Sequence, residues 1–316
     1  MSRVKRRALL AGMLALPGLA RAFPERPVRL IIPYGAGNVT DICGRALADA
    51  LTAAWPQRVV VENLPGAGGT LGVAAAARAA PDGHTLVLSA MAAVTVSPHL
   101  QSLPYDPLTD LAPLSLVAVT RGALAVHPAL AVGSLAELAA EAGRRQLFYY
   151  SAGPGTLPHL NMELLNQALG TRMEHVPYRT SAAGLADLLA GRVQLTMDAA
   201  SVTLPAILDA RLRALFWNGP QRNPRLPNLP TAAEALPSVE LANPWLGLFV
   251  PRATPEPVRL ALVQAVAAVM ARPDFAARLG EALEPLGGGP EPLARQLRAD
   301  HARFGALIAR LGIKGE

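Results

Sequence analysis

Apolar and polar residues follow one another along this chain in blocks that predict alternating strands and helices. The apolar run 28–32 is typical of a buried strand, and Ile42, Ala46, Leu47 and Ala50 recur after it at helical spacing. The predicted strands are 28–34, 58–63, 85–89, 114–119, 123–126, 147–151, 173–178 and 193–198. The predicted helices are 40–54, 70–79, 135–144, 157–169, 181–190, 255–271 and 291–311. This alternation predicts an α/β fold around mostly parallel sheets.

The loop after the first predicted strand, residues 33–41, is rich in glycine and small residues. Asn38 or Thr40 is the expected N-cap of the helix that follows. Free backbone N–H groups at a helix start attract an anion. The loop lacks both the Lys of a phosphate-binding P-loop and the spacing of a dinucleotide fingerprint, which favours a small organic anion over a nucleotide. An ordinary tight turn is the alternative reading.

A second Gly-rich loop, residues 151–156, also joins a predicted strand to a predicted helix. In α/β sheets ligands bind beyond the carboxyl ends of the strands, so two such loops facing one another would form a clamp. The glycines of 66–72 nearly match the dinucleotide fingerprint G-x-G-x-x-G but lack its third position, and they are interpreted as turn and packing residues.

The N-terminus predicts export. Residues 1–22 have a basic start, an apolar stretch and an Ala20-Arg21-Ala22 sequence that suits cleavage after Ala22. The apolar stretch is too short to span a membrane. Arg6-Arg7 also fits the twin-arginine export route, and the sequence leaves that route and the general route open. The expected location of the mature protein is the periplasm.

Removal of this segment makes the chain nearly neutral. The full chain has 29 Lys+Arg and 23 Asp+Glu, and five of the basic residues precede Phe23, so that 24 basic residues face 23 acidic ones in the rest. Neither a basic patch nor alternating aromatic and basic residues remain, and we therefore expect no nucleic-acid partner.

The chemistry-bearing residues do not form an enzyme or metal motif. Cys43 is the only cysteine, so it forms no intrachain disulfide and is expected to pack as a small apolar residue. The six histidines are scattered without zinc-ligand spacing, and no metal or other cofactor is predicted. The sequence has neither a G-x-S-x-G elbow nor an H-E-x-x-H helix, so a secreted hydrolase is the weaker alternative to a binding protein.

A series of short motifs identifies a family. In chain order they are Arg-Leu-Ile-Ile-Pro-Tyr (29–34), Thr-Asp-Ile (40–42), Val-Val-Glu-Asn (60–63), Pro-Gly-Ala-Gly-Gly (65–69), Ala-Pro-Asp-Gly-His-Thr-Leu (80–86), Leu-Pro-Tyr-Asp-Pro (103–107), Tyr-Ser-Ala-Gly (150–153), His-Val-Pro-Tyr (175–178), Asp-Leu-Leu-Ala-Gly (187–191), Leu-Arg-Ala-Leu (212–215), Leu-Pro-Thr (229–231) and Gly-Leu-Phe (247–249). Together they resemble the Bug-type receptors, the periplasmic solute-binding components of tripartite tricarboxylate transporters.

The resemblance implies a two-lobed, periplasmic-binding-protein-like (type II) fold with a ligand cleft between the lobes. Residues 1–22 would be the signal peptide, 23–122 with 244–316 the first lobe, and 123–243 the second. The implied function is a monomeric receptor, not an enzyme, that captures a small carboxylated organic solute and delivers it to membrane permease subunits. A receptor that serves a sensor protein is the alternative.

The resemblance also implies the ligand-binding residues. They are Tyr34, Gly35, Ala36, Gly37, Asn38, Thr40, Asp41, Ser89, Ala90, Ser151, Gly153, Thr156, His159 and Asp198. Relatives commonly have Pro-Pro-Gly-Gly where this chain has residues 35–38, so the ligand is not inferred from them. Asp41 and Asp198 would repel a dianion on direct contact, and a role in holding the loops is the alternative for both.

Overall fold

The computed structural model describes residues 23–280 and 283–313, and its strands form two sheets. The strands are β1 (Val28–Ile32), β2 (Val59–Asn63), β3 (Thr85–Ala90), β4 (Leu111–Val119), β5 (Ala123–Val126), β6 (Phe148–Ser151), β7 (Glu174–Pro177), β8 (Leu195–Thr196), β9 (Arg213–Trp217), β10 (Trp245–Pro251) and β11 (Glu284–Pro285). The helices are α1 (Val39–Ala54), α2 (Thr70–Ala77), α3 (Met91–Thr95), α4 (Ser97–Leu100), α5 (Leu135–Arg144), α6 (Leu157–Leu169), α7 (Ser181–Leu189), α8 (Ala200–Leu208), α9 (Ala232–Ala235), α10 (Glu256–Met270), α11 (Pro273–Leu279) and α12 (Pro290–Leu311).

Each sheet combines parallel and antiparallel strands. The six-stranded sheet has the order β11-β4-β10-β3-β1-β2, and the five-stranded sheet has the order β7-β6-β8-β5-β9. In the first, β1 runs parallel to β2 and β3, and in the second, β6 runs parallel to β7 and β8. The sheets, with helices packed against them, form the two-lobed α/β fold that the resemblance implied.

The inner strands of the six-stranded sheet are buried on both faces, which explains why they are mostly apolar. Leu30 and Ile32 belong to a core cluster shared with α1 and α10, whereas Ile31 belongs to a cluster shared with α2 and α12. Cys43 packs in the first cluster, where burial raises the pKa of its thiol to about 12. The predicted packing role of Cys43 is therefore confirmed.

The chain passes between the sheets at two places that hydrogen-bond to each other. The first passage lies between β4 and β5 and the second between β9 and β10. The Thr120 N–H donates to the Pro244 carbonyl (2.9 Å), and the Asn218 N–H donates to the Gly122 carbonyl (2.8 Å). We propose that these passages are the lobe boundaries, with 23–122 and the part after 243 in one lobe.

Replacing Gly122 by alanine should destabilise the fold by about 1–3 kcal/mol, the usual cost of overpacking. A Cβ on Gly122 would lie 2.5 Å from the backbone carbonyl oxygen of Asp198, which cannot rotate away as a side chain could. The measurement is urea unfolding beside Gly143→Ala, because Gly143 lies in α5 with no atom within 4 Å of its Cβ position. Equal stability of Gly122→Ala and Gly143→Ala would contradict this packing.

The predicted export signal, residues 1–22, lies outside the described residues. Among the described residues, no single helix has both the length and the apolar composition to cross a membrane. Only the bent pair α10 and α11, which meet at 79°, reaches that length and composition when taken together.

Candidate ligand-binding cleft

The loops that follow parallel strands of the two lobes border a cleft of 710 Å³. The first lobe contributes residues after β2 and around α4, and the second contributes residues after β6 and β7. The lining residues are Ala67, Gly68, Ser97, Leu100, Gln101, Ala152, Gly153, Pro154, Pro177, Tyr178 and Arg179. Its volume is typical of sites for small organic ligands.

The first Gly-rich loop is held by Asn38 and Asp41. Asn38 is the N-cap of α1, and its side-chain oxygen accepts the Asp41 N–H (2.9 Å). Of the two predicted cap residues, Asn38 is therefore right, and Thr40 lies buried inside the helix. The N–H groups of Val39 and Thr40 have no acceptor among the described residues, as expected for a first helical turn.

The Asp41 carboxylate is occupied by the loop and its neighbours. It accepts the Gly37 N–H (2.8 Å), the Arg45 Nε–H (3.0 Å) and the Asn63 side-chain N–H (2.8 Å). Burial alone would raise the pKa of Asp41, but these donors outweigh it and hold the pKa below its ordinary value of 3.8. This arrangement favours the loop-holding role for Asp41.

Tyr34 links the first loop to the loop after β2. Its hydroxyl oxygen lies 2.7 Å from the place that a Cβ on Gly69 would occupy, so only glycine fits there, and Gly69 also has a φ of +99°. Burial raises the pKa of the Tyr34 hydroxyl to about 12. Because Gly68, beside Gly69, lines the cleft, this loop belongs to the candidate site, in addition to the turn and packing role predicted for it.

The second Gly-rich loop is closed by its own hydroxyl groups. The Ser151 Oγ–H lies 2.9 Å from the Gly153 carbonyl, and the Thr156 hydroxyl donates to the same carbonyl (2.7 Å). Gly153 has a φ of +124°, a conformation that favours glycine. Thr156 is the N-cap residue of α6. The loop therefore presents Gly153 to the cleft while Ser151 is buried behind it.

Two stacked histidines hydrogen-bond to this loop. Nδ1 of His159 accepts the Gly155 N–H (3.0 Å), and Nε2 of His175 lies 2.7 Å from the Ser151 Oγ. Their ring centroids are 4.0 Å apart at 11°. Burial lowers the pKa of His159 to about 4; burial, reinforced by His159, does the same for His175.

We expect the stability of the protein to fall between pH 6.5 and pH 4. In this window the unfolded histidines bind protons that the folded pair does not, so the free energy of unfolding decreases as pH falls. The contribution of the neutral pair to stability is complete above about pH 6.5. The expected loss is on the order of 2 kcal/mol, allowing for solvent screening of His175. Urea unfolding across this range measures it.

The control for this pH dependence is a pair of variants. His159→Gln with His175→Gln should flatten the slope, whereas His127→Gln, outside the stack, should keep it. An unchanged slope in the double variant would show that the stacked pair does not carry the effect.

The remaining predicted site residues lie at the end of β3 and after β8. Ser89 is fully buried, with its hydroxyl donating to the Ala90 carbonyl (3.0 Å). Asp198 accepts the Tyr150 hydroxyl (3.2 Å) and the Ala199 N–H (2.8 Å), and it lines a separate 80 Å³ cavity at the passages between the lobes.

Of the predicted site residues, Gly153 lines the 710 Å³ cleft, whereas Gly35, Ala36 and Gly37 are solvent-exposed. Prediction from the sequence missed Ser97, Gln101, Tyr178 and Arg179 as lining residues. The available signal was the position of Tyr178 at the end of a predicted strand and of Arg179 directly after it. In residues 23–280 and 283–313, no cluster of three His, Cys, Asp or Glu side chains could hold a metal ion.

Two α/β lobes with a cleft at their strand ends define the class of solute-binding receptors. Residues 43–313 match the tripartite tricarboxylate transporter family receptor, and the chain belongs to this family. The predicted resemblance is confirmed. BugT of Bordetella pertussis is 35% identical over 245 residues, which cover 76% of this chain and 75% of BugT.

Solved structures of related receptors have the same fold. An R. palustris protein with adipate is 31% identical, with a TM-score of 0.76 over 93% of this chain and 100% of that one. MatC from Rhodopseudomonas palustris with bound malate is 29% identical, with a TM-score of 0.69 over 90% of this chain and 100% of MatC. The family and fold are therefore those of periplasmic receptors.

Proposed function

We propose that this chain is an exported receptor that binds a small organic carboxylate in the 710 Å³ cleft and delivers it to a membrane permease. The observation that carries the proposal is the polarity of the cleft. Its lining includes hydroxyl, amide and guanidinium donors from Ser97, Gln101 and Arg179, and none of its lining residues is acidic. Donors without competing carboxylates suit an anion.

The first Gly-rich loop, which Tyr34 joins to the cleft-lining loop at Gly69, adds backbone donors. The open N–H groups of Val39 and Thr40 stand at the start of α1, a helix of 16 residues whose dipole favours negative charge there. We propose that the predicted loop residues, from Tyr34 to Asp41 and from Ser151 to His159, act mainly by holding these donors in place. The relatives solved with malate and adipate make a carboxylate the natural ligand class.

Native mass spectrometry tests the proposal on protein purified from the periplasm without refolding. We expect a fraction of the protein to carry a small organic acid that is released on denaturation and can be identified by its mass. A protein that co-purifies with a neutral sugar, or that is empty and binds no added carboxylate, would contradict the proposal.

A further inference from the structure

Arg179 stands at the mouth of the second lobe because of how β6 and β7 pair. These strands are parallel, with Ser151 opposite Pro177, so their following loops leave the sheet side by side. The Tyr178 N–H donates to the Ser151 carbonyl (2.9 Å), which fixes the start of the segment that carries Arg179. Arg179 and the Gly-rich loop therefore line the same cleft.

Arg179 is the only charged residue among those that line the cleft. Across the described residues, no carboxylate lies within ion-pair distance of its guanidinium group. The nearest acidic residue along α7, Asp187, already bonds to the Tyr178 hydroxyl (2.6 Å) and pairs with Arg192. Asp187 thus holds Tyr178 in place, and the neighbouring Arg179 keeps its charge available to the cleft.

We infer that Arg179 selects dicarboxylates, by binding the second carboxylate of a ligand whose first carboxylate is held by the hydroxyl, amide and backbone donors of the cleft. The inference rests on the proposed function and specifies its ligand class. A planar guanidinium group binds a carboxylate through two parallel hydrogen bonds, which gives it specificity for charge and geometry together. A monocarboxylate would leave this group without its partner.

Calorimetry on the folded protein tests the role of Arg179. The probes are succinate, malate, glutarate and adipate, each beside the monocarboxylate of the same chain length. We expect Arg179→Gln to weaken the best dicarboxylate by about 10- to 100-fold and its monocarboxylate by less than about 3-fold, the scale of a lost charge-assisted hydrogen bond. Arg179→Lys should recover part of the loss.

The matched control is Arg211→Gln, because Arg211 is exposed and lies outside the cleft lining. It should bind like the wild type. If Arg179→Gln weakens neither ligand, or weakens both equally, the inference is overturned while the proposed function stands. A wild-type protein that binds only monocarboxylates would also overturn the inference and leave the proposed function standing. A wild type that binds no carboxylate overturns the proposed function itself.

Discussion

Replacing Asp41 by alanine lowers the free energy of unfolding by about 2–4 kcal/mol, the scale set by several hydrogen bonds to one charged acceptor. The Asp41 side chain is buried, with 3% of the residue exposed, and it is the common acceptor for Gly37, Arg45 and Asn63. Its removal takes away the one acceptor that these three donors share at the base of the first loop. Urea unfolding at neutral pH is the measurement.

Arg45→Ala is the control for this prediction. The Arg45 side chain is 51% exposed, so its ion pair with Asp41 is screened by solvent and should contribute less than about 1 kcal/mol. Asp41→Ala within 0.5 kcal/mol of the wild type, an interval on the order of a routine surface substitution, would contradict the structural role of this carboxylate.

Protonation of Asp41 should also lower the stability of the protein in acid. Because its folded pKa lies below 3.8, its contribution is present above the unfolded pKa and is lost as pH falls through the folded value. The loss therefore begins below about pH 4, under the window of the histidine pair. Asp41→Asn, which cannot ionise, should flatten this acid limb.

Replacing Gly37 by valine weakens carboxylate binding by about 2–4 kcal/mol, the scale of one or two charge-assisted hydrogen bonds. Gly37 has a φ of +85°, which a β-branched residue rarely adopts. No atom lies within 4 Å of its Cβ position, so the effect comes from backbone strain and not from a clash. Relaxing the strain would move the Gly37 N–H away from Asp41 and displace the Val39 and Thr40 donors.

The matched control is Gly170→Val. Gly170 has a φ of +65° and open space at its Cβ position, but it lies at the far end of α6 from the cleft. Both variants should lose a similar stability of about 1–3 kcal/mol through strain. Only Gly37→Val should lose affinity in calorimetry, and a folded Gly37→Val with wild-type affinity would place the site elsewhere.

The sequence predicts the bounds of some elements correctly. The helix 157–169 and the strand 123–126 have the predicted bounds. The helices at Met91–Thr95 and Ala200–Leu208 were missed, because the first is almost entirely apolar and the second contains Pro205. Neither shows the amphipathic period on which the prediction depends.

The candidate site was predicted only where it is local in sequence. Both Gly-rich loops follow strands, so the rule of strand ends finds them. The stack of His159 on His175 depends on β7 pairing beside β6, and the cleft position of Arg179 depends on the same register. Such pairings join segments far apart in the chain, and no local pattern encodes them.

Calorimetry of the wild-type protein with mono-, di- and tricarboxylates, each paired with its neutral amide, measures directly whether the cleft binds a carboxylate. We expect at least one acid to bind and its amide, of the same shape but without charge, not to bind. An amide that binds as tightly as its acid, or a cleft that accepts none of the acids, would contradict carboxylate binding.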